Sequence, residues 1–214
     1  MATIEWFGHS CFLLEANGLR ILIDPFQRKG VRHPEIDTFA DLVLITHNHS
    51  DHNNFGVAKG NPTVIRQAGH WETPVLVDGI EAFHDSSGGL ERGTTMIYSL
   101  VIEGMRITHL GDIGEIPNTK TIEALNGTNI LLIPVGGVYT IDHKGASKVL
   151  ELIRPNIAIP MHYKNEMVDW PLNGVEKFLI GKSRTRILVE NWVECTQEEL
   201  PQPTEVWVPS PPGM

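Results

Sequence analysis

The segment ITHNHSDH, Ile45 to His52, ends the apolar run LVLI with three histidines and one aspartate in eight residues. Imidazole and carboxylate are donors that hold divalent cations. In an extended chain residues two apart face the same way, so His47 and His49 aim at one point. Asp51 and His52 follow the turn out of the strand and face a second point. Two-metal sites place their ions ~3.5–4 Å apart, within reach of such a turn. The spacing therefore suits two ions. It does not suit a helical zinc motif, which needs two histidines four residues apart on one face, and the HExxH class of protease is excluded.

Short strands must carry this cluster. The first half reads as TIEWFGHSCFLLEA, LRILID, DLVLIT, PTVIRQ, TPVLVDGIEAFHD, MIYSLVIEG and MRITHLGD, with hairpin turns at Asn17-Gly18 and Glu103-Gly104. The second half alternates helix and strand, the pattern of crossover units packed on a sheet. KTIEALNG stops at Asn126-Gly127 before the strand NILLIPVGG. GASKVLELIRP spaces Ala146, Val149, Leu150 and Ile153 along one helical face, and Pro155 ends it before NIAIPMHY. VEKFLIGK reads as a short helix and RTRILVEN as a last strand. Five prolines among the fifteen residues LPQPTEVWVPSPPGM keep that stretch extended, either as an arm packed on this subunit or a neighbour, or as a mobile terminus. Residues 1–200 are expected to form one domain and residues 201–214 a Pro-rich tail.

A chain of 214 residues at 41% hydrophobic and 20% charged can bury a full core. Its 17 Lys plus Arg against 26 Asp plus Glu give a net charge of −9, which disfavours loose association with nucleic acid or an anionic membrane. MATIEWFGHS has neither the basic start nor the apolar core of a signal peptide, and no apolar run approaches the ~18 residues of a membrane span. The expectation is a cytoplasmic protein whose partner is a small-molecule substrate, with no nucleic acid and no membrane. Cys11 and Cys195 fit no metal-binding spacing and read as reduced, buried thiols.

The pattern HxHxDH after a buried strand resembles the signature of the metallo-β-lactamase fold superfamily. WFGHSCFLL, ILIDP, AFH, the GD after His109, IPVGGVYTID and IPMHY, over roughly residues 4 to 165, are similar to small metal-dependent hydrolases related to ascorbate-6-phosphate lactonase. The resemblance implies an α/β (α+β) fold, an αββα sandwich of two mixed β-sheets flanked by helices. It also implies three further ligands at strand ends: His84 in EAFHD, Asp112 in THLGD and His162 in IPMHY. His47, His49 and His84 would then hold one ion, and Asp51, His52 and His162 the other, with Asp112 and a hydroxide bridging both. Nitrogen and oxygen donors without thiolate suit zinc best, with manganese or iron as alternatives.

Formal charges of two dications, Asp51, Asp112 and the hydroxide add to about +1, which favours a phosphate, a carboxylate or a lactone carbonyl. In this reading the bridging hydroxide is the nucleophile, and Asp51 orients it and passes a proton. His9 either hydrogen-bonds a ligand or the substrate, or is an ordinary strand histidine. His109 matches the family in a supporting, non-ligating role. The stretch YTIDHK offers Tyr139, His143 and Lys144 for substrate contact, with His143 either a proton donor to the leaving group or an exposed residue of the first helical turn. Tyr163 and Lys164, beside His162, are expected at the rim of the site, whereas His33 and His70 read as surface or loop residues. The expected activity is hydrolysis of a small anionic ester, lactone or phosphoester, by a homo-oligomer on the analogy of related hydrolases.

Three rivals share parts of this reading. A phosphodiesterase or nuclease would use the same ligands but needs a basic track, and RKGVR and GKSRTR are short clusters in an acidic chain. A di-iron redox protein of the same superfamily would replace His49 with a carboxylate. A binding protein that had lost its chemistry would not need the full ligand set.

Overall fold

The structure, a computed structural model, describes residues 1–213. Its first half holds β1 (Ala2–Gly8), β2 (Cys11–Ala16), β3 (Leu19–Ile23), β4 (Thr38–Phe39), β5 (Leu42–Leu44), β6 (Ala58–Lys59) and β7 (Thr63–Ile65). β8 (Gly69–Glu72), β9 (Leu76–Phe83), β10 (Thr94–Ile102) and β11 (Met105–His109) follow. The second half adds α1 (Thr119–Ala124), β12 (Ile130–Pro134), α2 (His143–Ile153), β13 (Ile157–Met161) and α3 (Glu176–Leu179), then β14 (Thr185–Ile187), β15 (Trp192–Cys195) and β16 (Glu205–Val208). Six strands make one sheet in the order β15-β1-β2-β3-β5-β7, eight make a second in the order β14-β16-β13-β12-β11-β10-β9-β8, and β4 pairs with β6 in a small third. Both large sheets are mixed: hairpin neighbours and the pair β1–β15 are antiparallel, and the crossover neighbours β3–β5, β5–β7, β11–β12 and β12–β13 are parallel.

Local chemistry explains the hairpins. Asn17 and Gly18 both take positive φ, 51° and 78°, so a two-residue turn sets Ala16 opposite Leu19. Glu103 and Gly104 do the same between Ile102 and Met105. TIEWFGHSCFLLEA is not one continuous strand: Gly8 at φ 104° and His9 at φ 52° fold it back, so that Gly8 pairs with Cys11. His9 thus stands at the tip of a hairpin.

Alternation along the strands builds the core. β2 sends Phe12, Leu14 and Ala16 to the interior shared by both sheets, and Cys11 and Leu13 to the opposite face. On that outer face Leu22 and Val43 lie under Phe26, Val31, Ile36 and Ala40, so residues 26–40 form the covering layer where the sandwich plan would put a helix. The two longer helices serve the larger sheet: α1 links β11 to β12, and α2 links β12 to β13. α2 starts at His143, two residues before GASKVLELIRP, because the Asp142 carboxylate caps the amides of Lys144 and Gly145. It buries Ala146, Val149 and Ile153 and ends at Arg154, in the left-handed region directly before Pro155. Among the described residues no helix is long and apolar enough to cross a membrane.

The tail expected from residue 201 is extended, yet it is not an appendage. β16 runs parallel between β13 and β14, setting Ile157 opposite Glu205 and Thr185 opposite Val206. Its residues Val206, Trp207 and Val208 are buried; Met214 lies outside the described residues. Burying three such side chains contributes about 1.5–3 kcal/mol each. Truncation after Leu200 is therefore expected to lower the thermal unfolding midpoint by at least ~10 °C, measurable by circular dichroism.

Candidate metal centre

β5 lies in parallel between β3 and β7 and delivers residues 46–52 beyond its carboxyl end. β9, β11 and β13 end at the same edge and supply His84, Asp112 and His162, as expected where ligand sites form beyond the carboxyl ends of strands. Asp112 Oδ2 is the centre of the arrangement. It lies 3.0 Å from His162 Nε2, 3.2 Å from His52 Nε2, 3.8 Å from His84 Nε2 and 4.0 Å from His47 Nε2. Asp51 Oδ2 stands 3.2 Å from His52 Nε2 and 3.1 Å from His9 Nε2, and His49 Nδ1 is 3.3 Å from His84 Nε2. Donors held ~2.0–2.1 Å from a tetrahedral ion lie roughly 3.3–3.4 Å apart, so these spacings are those of ligands around cations.

The donors fall into overlapping groups: His47, His49 and His84; His9, Asp51, His52 and His162; and Asp24, His47 and His52. Within the cluster His47 Nε2, His52 Nε2 and Asp112 Oδ1 are buried with no hydrogen-bond partner. Each such orphan costs ~1–3 kcal/mol, and a cation answers all three together. The residues present therefore fit a metal, and their nitrogen and oxygen donors match zinc, iron or manganese.

Asp24, which the motif reading passed over, organises the cluster. Thr46 donates to it through its backbone N–H, 2.8 Å to Oδ1, and through its hydroxyl, 2.6 Å to Oδ2. The same Oδ2 lies 2.8 Å from His52 Nδ1. This contact keeps a proton on Nδ1 and turns Nε2 toward Asp112 and Asp51. Asp24 sits inside ILIDP, 28 residues before His52, and no local spacing links the two.

Electrostatics shows the same need for positive charge. Burial, helped by His52, pushes His47 down to about 2, and burial with His162 pushes His9 down to about 3. Burial also acts to lower His52, but the carboxylates of Asp112, Asp51 and Asp24 hold it well above the ordinary imidazole value. For Asp112, burial acts to raise the pKa, yet His162 and His52 keep the carboxyl well below the usual range. A positive charge belongs at His52 Nε2, as a proton in the metal-free protein or as a cation that displaces it.

The remaining candidates separate by placement. Tyr139 lines a cavity of about 260 Å³ together with His49, Asp51, His84, Asp112 and His162. Arg92 and Trp170 complete its wall, and neither stands near a ligand motif in sequence. His143 opens α2 and faces a different surface hollow with Lys144 and Ser147, so it is not placed to protonate a leaving group in this cavity. Tyr163 is buried against Trp6, ring centroids 5.4 Å apart, and Lys164 donates to the Val168 carbonyl. Neither is at the rim, because His162 at φ 52° breaks the strand alternation and turns Tyr163 inward. His33 is not a surface residue but fully buried, with Nδ1 3.0 Å from the Pro212 carbonyl; His70 is exposed and pairs with Asp78 at 2.6 Å. His109 accepts from the Gly111 amide at Nδ1 and lies 2.9 Å from the Ser10 carbonyl at Nε2, tying the His9 turn to the Asp112 loop without facing the cluster.

Replacing Asp24 with Asn leaves the shape of the carboxylate but removes its charge from His52. The expected result is a ~10–100-fold loss of zinc affinity, measured by competition with a chromogenic chelator; unchanged affinity would remove Asp24 from the account.

Comparison with known proteins identifies the family. The beta-lactamase superfamily domain matches residues 3–162. A UPF0173 metal-dependent hydrolase of Carboxydothermus hydrogenoformans is 32% identical over 200 residues, covering 79% of this chain and 86% of that protein. UPF0173 metal-dependent hydrolase MK1542 of Methanopyrus kandleri is 34% identical over 193 residues, covering 75% and 83%. A crystal structure from Thermotoga maritima, described as a zinc-dependent hydrolase of the metallo-beta-lactamase superfamily, superposes with a TM-score of 0.82 at 33% identity, covering 97% of this chain and 98% of that one. The chain belongs to the beta-lactamase superfamily, as one of its metal-dependent hydrolases.

Proposed function

We propose that the chain hydrolyses a small anionic ester, lactone or phosphoester with two divalent cations, zinc in first place and manganese or iron as alternatives. The observation that carries this reading is the position of Asp112. One carboxylate oxygen stands within 4.0 Å of His47 and His84 from one ligand group and of His52 and His162 from another. This position supports a carboxylate shared by two ions. When bound, such ions supply Lewis acidity and lower the pKa of water from 15.7 towards ~7, so that a hydroxide nucleophile is available near neutral pH.

The chain's own residues do the rest. Asp24 holds the Nδ1 proton of His52, and Asp51, between His9 and His52, is placed to orient a water and accept its proton at Oδ2. Trp6 donates its indole N–H to the His9 carbonyl, which also takes the His162 amide, so the His9 backbone is tied to that of His162. The small cavity suits a substrate of a few carbons rather than a polymer strand. Both cysteines are free and buried, which suits a reducing compartment such as the cytoplasm.

The test is a turnover screen of lactones, phosphodiesters and phosphomonoesters on protein loaded with zinc or manganese, with metal content measured by mass spectrometry. Two ions per chain and turnover of at least one class are expected, with His49→Ala and Asp112→Asn slower by ~10³-fold or more, since each removes several kcal/mol of transition-state stabilisation. A metal-loaded wild type that turns over none of them, or variants as active as wild type, would sink the reading.

A further inference from the structure

Among the described residues Arg92 is the one Lys or Arg side chain lining the cavity that contains Asp51, Asp112 and His162. Its guanidinium lies over the Tyr139 ring, with Cζ 5.3 Å from the centroid. Its hydrogen-bond contact is with Glu91 Oε2 at 3.4 Å, the outer end of bonding range, and 31% of the side chain stays exposed. A guanidinium carries five N–H donors in a fixed fork, and this one has donors to spare.

Its position is built from both sides. Asp85 follows His84 directly, and its buried carboxylate accepts the backbone N–H groups of Ser87, Gly89, Glu91 and Arg92 at 2.8–3.0 Å. The loop that carries Arg92 is therefore anchored to the strand end that carries His84. Opposite, Val138 holds φ 66°, a left-handed conformation that strains a β-branched residue, and 54% of it is exposed. The strain follows Gly137 at φ 63° and turns Tyr139 into the cavity under Arg92. Trp170 is seated edge-on to His9, centroids 5.2 Å apart, and fills the space beside Gly30, where a Cβ would stand 2.6 Å from its indole nitrogen.

Charge gives Arg92 its meaning. Counting Asp51 and Asp112 against two dications and a hydroxide leaves about +1, but Asp24 is fully buried in the same network and cancels it. The cluster itself then has no surplus with which to attract an anion. Arg92 does.

We propose that Arg92 reads a second oxyanion on the substrate. A carboxylate or phosphate that takes no part in the reaction docks on the guanidinium, while the scissile ester, lactone or phosphoester bond lies over the Asp112 cluster. Tyr139 keeps the fork in place, and Trp170 bounds the space between. This inference rests on the hydrolase reading above for the reacting end, and on the cavity wall for the other.

The experiment compares wild type, Arg92→Gln and Arg92→Lys, each loaded with zinc, with metal content and thermal midpoint recorded. One arm titrates inorganic phosphate calorimetrically. The other measures kcat/KM for a five-membered lactone with and without a ring carboxylate, and for the same lactone carrying a phosphate. Losing a charge-assisted hydrogen bond is worth ~1.5–3 kcal/mol, so Arg92→Gln is expected to weaken phosphate binding ~10–100-fold. The ratio of kcat/KM for charged over uncharged lactone is expected to fall by a similar factor and to recover in part in Arg92→Lys. Whichever pair shows the larger fall tells carboxylate from phosphate. An unchanged ratio overturns the proposal even where phosphate binding weakens, because Arg92 would then serve the reacting group. If wild type turns over no lactone, the hydrolase reading for that class fails, and the same ratio is taken on phosphodiesters with and without a carboxylate: a ~10-fold or larger fall in Arg92→Gln supports the proposal, and a change under ~2-fold overturns it.

Discussion

Six imidazoles and three carboxylates share one edge of the sandwich, and the structure depends on a positive charge among them. Three aspartates converge on His52, two through Nε2 and one through Nδ1. Without a cation at that ring three carboxylates would face one another with their negative charge uncompensated, although Thr46, His9 and His162 each still contact one of them. Of the histidines around it, His9 and His47 have their pKa lowered by burial, so His47 can offer a lone pair rather than compete as a cation. Metal binding and folding are thus drawn from one reservoir of free energy, and the sheets are the frame that makes the reservoir available.

That frame holds the site in conformations that isolated residues avoid. His9, Asp24 and His162 all have positive φ, between 48° and 52°, at the ends of β1, β3 and β13. Each begins the turn by which a strand leaves its sheet, so the strain is the means by which side chains from different strands meet. Close backbone approach supports them. Gly111, at φ 57°, lets Asp112 enter where any Cβ would meet Thr95 Oγ1 at 2.5 Å, and a Cβ at Gly136 would collide with the His162 carbonyl.

Much of this was legible in the chain. Histidines at 47, 49 and 52 after an apolar strand, the turn pairs Asn17-Gly18 and Glu103-Gly104, and the helical spacing of Ala146, Val149 and Ile153 each express a local rule, and the folded chain obeys each locally. Asp24 and Arg92 were not legible, because the first acts through a contact 28 residues away and the second through a loop wound on Asp85. Trp170 lies in a segment without periodicity, so nothing local marked it. Tyr163 misled for a definite reason: period-two alternation carries a neighbour of His162 to the rim only while the strand stays regular, and φ 52° ends that regularity one residue early. The small β15 and the interior β16 escaped because edge pairing and sheet insertion are settled by distant partners, Ala2–Glu5 for one and Ile157 and Ala158 for the other.

The Asp85 cradle separates two demands that active sites usually make on the same atoms. Its carboxylate takes up the amides of the loop from within, so residues 86–91 keep their course without using the ligand side chains, and Leu90 at their tip stands 87% exposed. Outward side chains of that stretch can be exchanged without touching the amides that Asp85 holds. Here appetite for new compounds is decoupled from the machinery that cleaves them, and one anchored carboxylate is the joint between the two.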